Sequence, residues 1–372
     1  MKHTLLATTA IVLVAANASA VDVELYGQVN KGLFGYDDGT NTDVVVVDNK
    51  FNSTRFGLKG AQALDNGLTA SVLFESEMLS NPSNGLQQNN VGTQSATPAS
   101  TTPVNFTERQ ARVGLSGMFG GVYLGQQSTA IDGVYTQDLA GAADVMGANF
   151  EEIGGGLGFR TKGTNALNAA ITPNAMTTKL DENRADSIRY DSPIFNGFQG
   201  RASVAQGGDM DLGVFYDGGW SDFKVAAAAG AYFNNDNVDQ RGAAIHTTTP
   251  NADESTYAAS VSVAHSSGLA GTVAYSKDTL DNKAANINDP STWYAKVGYS
   301  WDAFEVAADY GRAKDYRKVG NTDKLTSFGL GAQYNLADGV SVAALYRNFD
   351  ADITANQTDG IDLYGVNMRV KF

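Results

Sequence analysis

Apolar and polar residues alternate with period two through the last third of the chain. From Trp293 to Trp301 one parity reads Trp293, Ala295, Val297, Tyr299 and Trp301, and the other reads Tyr294, Lys296, Gly298 and Ser300. Successive strand side chains point to opposite faces, so this run predicts a strand with one apolar and one polar face. The pattern recurs with Phe304, Val306, Ala308 and Tyr310 against Glu305, Ala307, Asp309 and Gly311. It recurs again in Phe328, Leu330, Ala332 and Tyr334, and in Val340, Val342, Ala344 and Tyr346. A soluble sandwich alternates too. Here, however, aromatic residues sit at the ends of the apolar face, as in the interfacial girdles of a membrane barrel whose apolar band is about 25 Å tall. The opposite face holds small and polar residues, which suit a water-lined interior better than a dry core.

The connections separate by length. Ala63–Gly67, Gly117–Gly121, Gly218–Asp222, Ser266–Leu269, Trp301–Ala303 and Ala337–Gly339 are short and rich in Gly, Asp and Asn, as tight hairpins require. Ser80–Asn105, Ser128–Asn183, Asn234–Glu254 and Thr279–Pro290 are long. Short and long connections alternate, which predicts short periplasmic turns and long external loops. The fold class is therefore all-β: a transmembrane antiparallel β-barrel. Sixteen strands are expected near 22–35, 44–60, 67–78, 107–116, 121–127, 184–192, 198–206, 211–217, 222–233, 255–265, 269–278, 291–301, 303–313, 324–336, 339–349 and 359–372. The stretch 121–184 has no clear period and leaves fourteen or eighteen open. Sixteen strands enclose an aqueous channel, whereas eight are filled by side chains.

The first twenty residues read differently. Lys2 and His3 precede an apolar run from Leu5 to Ala16, and Ala18-Ser19-Ala20 closes the segment. The order is that of a cleaved secretory signal peptide, and the run is too short to span a bilayer, which takes about 20 residues. Residues 1–20 are the expected leader and 21–372 the barrel. No later window is apolar enough for a membrane helix.

Composition narrows the chemistry. The chain has 372 residues, a formal charge of −14 and no cysteine. Disulfides and Cys–zinc sites are excluded, and a nucleic-acid partner would call for a basic surface. Gly154-Gly155-Gly156-Leu157-Gly158 has no βαβ surroundings and is not a nucleotide fingerprint. Asp236 with Asp239, and Asp37, Asp38 and Asp43, lack calcium-loop spacing. His265 and Ser266 are adjacent and cannot pair on a strand. Neither an enzyme site, a metal site nor a cofactor is expected.

Several segments carry a family resemblance. Val23-Glu24-Leu25-Tyr26-Gly27, Ser53-Thr54-Arg55-Phe56-Gly57-Leu58-Lys59-Gly60, Arg112-Val113-Gly114-Leu115-Ser116-Gly117 and Ser187-Ile188-Arg189-Tyr190-Asp191-Ser192-Pro193 occur in order. Each resembles a strand of the trimeric Gram-negative general diffusion porins. The terminal Phe372, with Val370, Met368, Val366 and Tyr364 on its parity, resembles the assembly signal of outer-membrane proteins. The resemblance spans both ends of the mature chain, but the Pro-Glu-Phe-Gly-Gly motif of many enteric constriction loops has no counterpart. It implies outer-membrane localisation, passive diffusion of small hydrophilic solutes, and a homotrimer. In that trimer the first strands and the Ser80–Asn105 loop lie near the subunit contacts. Outer-membrane lipids, lipopolysaccharide and the barrel-assembly machinery are the implied surroundings. A solute-specific channel and, behind it, an adhesive or structural barrel are the alternatives.

A pore needs a narrow point and a charge pattern there. Phe56 and Leu58 share one face, so Arg55 and Lys59 share the lumen face; Ile188 and Tyr190 likewise send Arg189 inward. Arg201 opposes Phe198 and Val204. The resemblance adds Tyr26, Gln28 and Arg109 to the lining, although Arg109 and Arg112 are three apart and conflict in parity. It also implies that the segment 128–160 folds inward as the constriction loop. Its acids Asp132, Asp138, Asp144, Glu151 and Glu152 are the expected counter-charges to Arg55, and its glycines allow bending. With the overall negative charge, this predicts a mild cation preference.

Overall fold

The computed structural model describes residues 21–88, 106–177, 184–234, 254–280, 286–317, 323–353 and 356–372. The expected leader 1–20, Asp236, Asp239 and residues 89–105 of the Ser80–Asn105 loop lie outside the described residues. The strands are β1 Asp22–Asp37, β2 Thr42–Asp48, β3 Arg55–Ala63, β4 Thr69–Met78, β5 Phe106–Gly117, β6 Gly120–Ser128, β7 Phe159–Arg160, β8 Leu167–Asn168, β9 Arg184–Asp191 and β10 Phe198–Ala205. There follow β11 Met210–Trp220, β12 Phe223–Phe233, β13 Glu254–His265, β14 Leu269–Leu280, β15 Ser291–Trp301, β16 Phe304–Lys314, β17 Lys324–Ala337, β18 Val340–Ile353, β19 Asn356–Gln357 and β20 Ile361–Lys371.

Antiparallel pairing runs from neighbour to neighbour and closes on itself. β1 pairs with β20, Gln28 facing Lys371, and with β3, Gln28 facing Arg55. β2 and β3 both lie along β1 and make one wall strand, broken at residues 49–54. The β7–β8 hairpin stands apart, inside a loop, and β19 extends β18 by two residues. The result is a closed barrel of 16 strands. The sequence placed one continuous strand at 44–60. It is interrupted because Gln28 and Asn30, on the facing strand, donate side-chain N–H groups to the carbonyls of Asn52 and Ser53. Those carbonyls therefore leave the ladder. Among the described residues no helix is long and apolar enough to cross a membrane.

The parity predicted from the sequence holds around the wall. Val297, Leu330 and Val366 face outward and are about half exposed, while Gly298, Asn367 and Arg347 face inward and are buried. Outward rings gather at the turn side: Tyr299, Trp301, Phe304 and Tyr334 stack in series at 5.7, 5.6 and 4.5 Å. A second group, with Trp293 on Tyr310 at 5.2 Å, marks the loop side. Amphipathic rings at two heights are what an apolar band between two aqueous interfaces selects.

Tight turns hold the turn side together. Gly268 takes φ +96°, and any Cβ there would strike the Ser300 carbonyl. The chain end is paired, not frayed: Phe372 and Gly27 exchange both backbone hydrogen bonds, each 3.0 Å. Tyr364, Val366, Met368, Val370 and Phe372 form the expected outward parity.

Candidate functional site

The chain between β6 and β9 folds into the lumen and is fastened to the inner wall in sequence order. Ala130 N–H donates to Ser203 Oγ at 2.7 Å and Asp211 Oδ1 at 3.1 Å. Gln137 and Leu139 N–H groups donate to Ser260 and Ser262 hydroxyls. Ala142 N–H donates to Glu305 at 2.7 Å and Asp144 N–H to the Gln333 amide oxygen at 3.2 Å. The loop has no regular ladder of its own here, so wall side chains take up the backbone groups that burial would otherwise leave unpaired.

The small wall residues are shaped by this contact. A Cβ on Gly298 would strike the Ala140 carbonyl, one on Gly331 the Met146 sulfur, and one on Gly311 the Phe150 ring. The expectation that the small, polar parity lines water is thus corrected for β15, β16 and β17: much of it lies under the loop. A close backbone approach, not hydration, is what selects glycine there.

A dry region fills another part of the lumen. Phe34, Tyr36, Val45, Val47, Phe349, Ile361 and Leu363 point inward from β1, β2, β18 and β20 and pack on Ile153, Leu157 and Phe159 of the loop, all buried. At its outer edge Asp38 forms an ion pair with Arg160, Oδ2 to Nε 2.9 Å. Burial pushes the Asp38 carboxyl up, but Arg160 and the N–H groups of Asn41 and Thr40 pull it below its ordinary value.

A charged space lies off-centre, against the β3–β9 arc. A cavity of about 330 Å³ is lined by Lys50, Arg55, Arg109 and Arg184 on the wall side and by Thr136, Asp138, Asn149 and Glu152 of the loop. The acids nearest the basic wall are on β4. Glu75 accepts from Arg109 Nε at 2.8 Å and the Tyr26 hydroxyl at 3.0 Å, and lies 3.5 Å from Arg55. Glu77 bridges Arg109 at 3.3 Å and Lys50 at 3.2 Å.

The expected loop acids divide. Asp138 and Glu152 line the cavity; Asp138 also holds Lys296 at 2.8 Å, and Glu152 accepts from Asn84 at 3.1 Å. Asp144 does not face Arg55. It is fully buried against the wall, 2.6 Å from Arg369 and hydrogen-bonded by Ser341, because the loop has crossed to the opposite side by that point. Glu151 is buried and does not line the cavity. Asp132 sits at the loop entrance, its N–H on the Thr129 carbonyl.

The expected wall residues are also resolved. Lys59 pairs with Glu24 at 3.2 Å and lies over the Tyr26 ring. Arg189 forks both oxygens of Asp191 at 2.9 and 2.8 Å. Arg201 lies 4.0 Å over Phe215. Gln28 supports the strand break; it is buried behind the cavity-lining residues Asn52 and Ser53, to whose carbonyls it donates. The parity conflict between Arg109 and Arg112 is settled by a bulge. Glu75 faces Gln110 and Ser76 faces Glu108, so Arg109 is the extra residue and both arginines turn inward. Lys50, Glu75, Glu77, Arg112 and Arg184 were not among the expected pore residues. Glu75 and Glu77 were legible as inward by parity, and the bulge behind Arg109 and Arg112 was suggested by their spacing.

These features agree with comparisons to known proteins. The profile of the Gram-negative porins matches residues 7–354. The major outer membrane protein P.IB of Neisseria sicca is 27% identical over 208 residues, covering 54% of this chain and 46% of that protein. The same-named protein of Neisseria lactamica is 28% identical, covering 55% and 50%. The chain thus spans about half the length of the curated relatives it matches. Among solved structures, the anion-selective porin from Comamonas acidovorans superposes with TM-score 0.62 at 17% identity, over 95% of this chain and all of that one. The trimer form of OmpT from Vibrio cholerae gives 0.60 at 17%, over 95% and 100%. OmpF of Salmonella typhi gives 0.59 at 17%, over 94% and 97%. With the profile covering nearly the whole chain, this protein belongs to the Gram-negative porin family and is a β-barrel of the outer membrane.

Proposed function

We propose that the barrel is a water-filled channel through which small hydrophilic solutes and ions diffuse passively. One observation carries the reading: a charged cavity lies between the inward loop and the basic arc, while the β1–β2–β18–β20 side of the lumen is packed. Such a lining replaces part of a solute's hydration shell without binding it tightly, which conduction requires. The loop 128–160, with Asp138 and Glu152, sets one side of the narrow point, and Arg55, Arg109, Arg184 and Lys50 set the other. Facing charges across water orient dipolar solutes and disfavour apolar ones. No reaction is assigned to the site; the side chains there are held in ion pairs suited to a wall. Residues 1–20 act as the export leader, and Phe372 closes the assembly signal.

The working form is a homotrimer. Leu25, Val29, Leu33, Val44, Val46, Leu58, Val72 and Val113 make the outside of β1 to β5 largely aliphatic; its rings are Phe56, Phe74 and Phe106, with none of the Tyr and Trp that mark the girdle of β15 to β17 among the described residues. A face buried against a neighbour has no interface for amphipathic rings to occupy. Purified protein in a planar bilayer should give stepwise conductance, in triplets where three pores insert together. Liposomes carrying it should swell in small sugars. Absence of conductance from correctly folded, heat-modifiable protein would overturn the channel reading.

A further inference from the structure

The triple glycine Gly154-Gly155-Gly156 has a cause outside its own loop. The chain after β4 turns inward, and Ser83–Gly85 form a short 3-10 turn laid against the inward loop. A Cβ on Gly156 would meet the backbone of Asn84, Gly85 and Leu86 at 2.8 to 3.1 Å. Gly154 N–H donates to the Ser83 carbonyl at 2.9 Å. Gly158 exchanges two hydrogen bonds with the Gln88 amide, at 2.7 and 2.9 Å. Backbone approaching this closely selects glycine.

The same turn reaches both sides of the cavity, which Lys50 lines from the wall and Glu152 from the inward loop. Lys50 N–H donates to Ser83 Oγ at 2.9 Å, and Ser83 Oγ donates to the Glu152 carbonyl. Asn84 Nδ2 donates to Glu152 Oε2 at 3.1 Å, while the Asn84 carbonyl accepts from Asn174 Nδ2 at 2.6 Å. The turn is anchored from behind by the fully buried Asp48, whose Oδ2 accepts from the N–H groups of Ser80 and Asn81 at 2.9 Å each. The Asn84 amide therefore reaches Glu152 from a fixed backbone.

We propose that Asn84 is a specificity-determining positioning residue of the pore: it aims the Glu152 carboxylate into the cavity, so that part of the ion preference is set by the loop after β4. The inference rests on the channel reading above and deepens it. A neutral amide adds no charge of its own. Its N–H favours the ionised carboxylate and holds that carboxylate in one rotamer. The negative charge then stays at one place beside the ion path. Without a fixed donor it spreads over several rotamers, and its field at the path falls.

The test is the reversal potential in a potassium chloride gradient at about 0.1 M, where charges act over about 10 Å. Glu152→Gln should move it toward anions by about a twofold change in permeability ratio, as one unit charge about 8 Å from the path in water gives. Asn84→Ala should move it the same way by less. In the Glu152→Gln background Asn84→Ala should add nothing, because its effect passes through the carboxylate. A role confined to packing the turn would act in both backgrounds. Asn84→Asp has nearly the native shape and sets two carboxylates together, so one keeps its proton to higher pH. Its reversal potential should gain a titration step at higher pH than any in the native protein, and Asn84→Asp with Glu152→Gln should lack that step. Heat-modifiable gel migration reports folding, and if Asn84→Ala does not fold, Asn84→Asp decides. A native reversal potential in folded Asn84→Ala, an equal shift in both backgrounds, or no added step in Asn84→Asp overturns the role of Asn84 while the channel reading stands. A native protein that does not conduct overturns the channel reading instead.

Discussion

Two walls of the same lumen follow the same alternation and do opposite things. On β15, β16 and β17 the inward residues include Gly298, Gly311 and Gly331, and the loop lies directly on them. On β3, β5, β9 and β10 they include Arg55, Arg109, Arg112, Arg189 and Arg201, and a cavity opens in front of part of this arc. Period two reports the direction of a side chain and says nothing of the medium it meets. Side-chain size supplies the missing information: glycine where backbone must approach, long cations where water remains. The pore is thus the space left over when a loop is packed against one side of a barrel.

The strongest way to break this comparison is to release the loop from its wall. Asp144→Ala should leave Arg369 facing a vacated site. Removing one partner of a buried ion pair costs about 3–5 kcal/mol, and the partial exposure of Arg369 places this pair at the lower end. We expect a lower temperature for loss of the compact gel form and noisier, larger conductance. Unaltered noise and thermal midpoint would mean that the anchor is not needed.

Gly298→Val attacks the same contact from the wall. Overpacking costs about 1–3 kcal/mol, and the added methyl groups should push the Ala140 segment toward the open arc. Single-channel conductance should change while strand content by circular dichroism stays constant. A variant with native conductance would argue against close loop contact at β15.

Arg55→Glu addresses the other wall. Arg55 is partly exposed beside Glu75, so its replacement should alter stability by no more than about 1 kcal/mol. Reversal potentials at low salt should move toward cations, and about 1 M salt should erase most of the shift because the Debye length falls to about 3 Å. A fixed reversal potential at low salt would remove Arg55 from the narrow point.

The smallest effect concerns the outer tie between Asp38 and Arg160. The folded Asp38 pKa is lowered, so its contribution is present above the unfolded value of about 3.9 and is lost as pH falls through the folded value. Hydrogen exchange of residues 159–168, corrected for intrinsic rate, should quicken below about pH 4. In Asp38→Asn it should already be quick at neutral pH. Equal protection at both pH values in the native protein would separate the hairpin from this carboxylate.

The barrel was legible because each wall strand repeats a two-residue rule, and the short turns carry their own chemistry. The strand break was not, because Val44 to Val47 read as continuous strand and the cause lies at Gln28 and Asn30. The loop acids were assigned as a group, since a loop without a period gives no parity from which to separate Asp138 from Asp144. Glu75 and Glu77 were visible as inward residues. Their pairing with Arg109 and Lys50 depends on cross-strand register and on a bulge whose position a single strand does not specify.

The account's central claim is that solutes pass between the loop and the basic arc, and that the β1–β2–β18–β20 side is packed shut. The chain contains no cysteine, so one introduced thiol is unique. Thr136→Cys places it on the loop side of the cavity, and Leu345→Cys places it in the buried apolar cluster. During bilayer recording, a charged, water-borne thiol reagent should alter conductance at once through Thr136→Cys and leave Leu345→Cys unchanged. Rapid modification of Leu345→Cys, with Thr136→Cys inert, would contradict the claim.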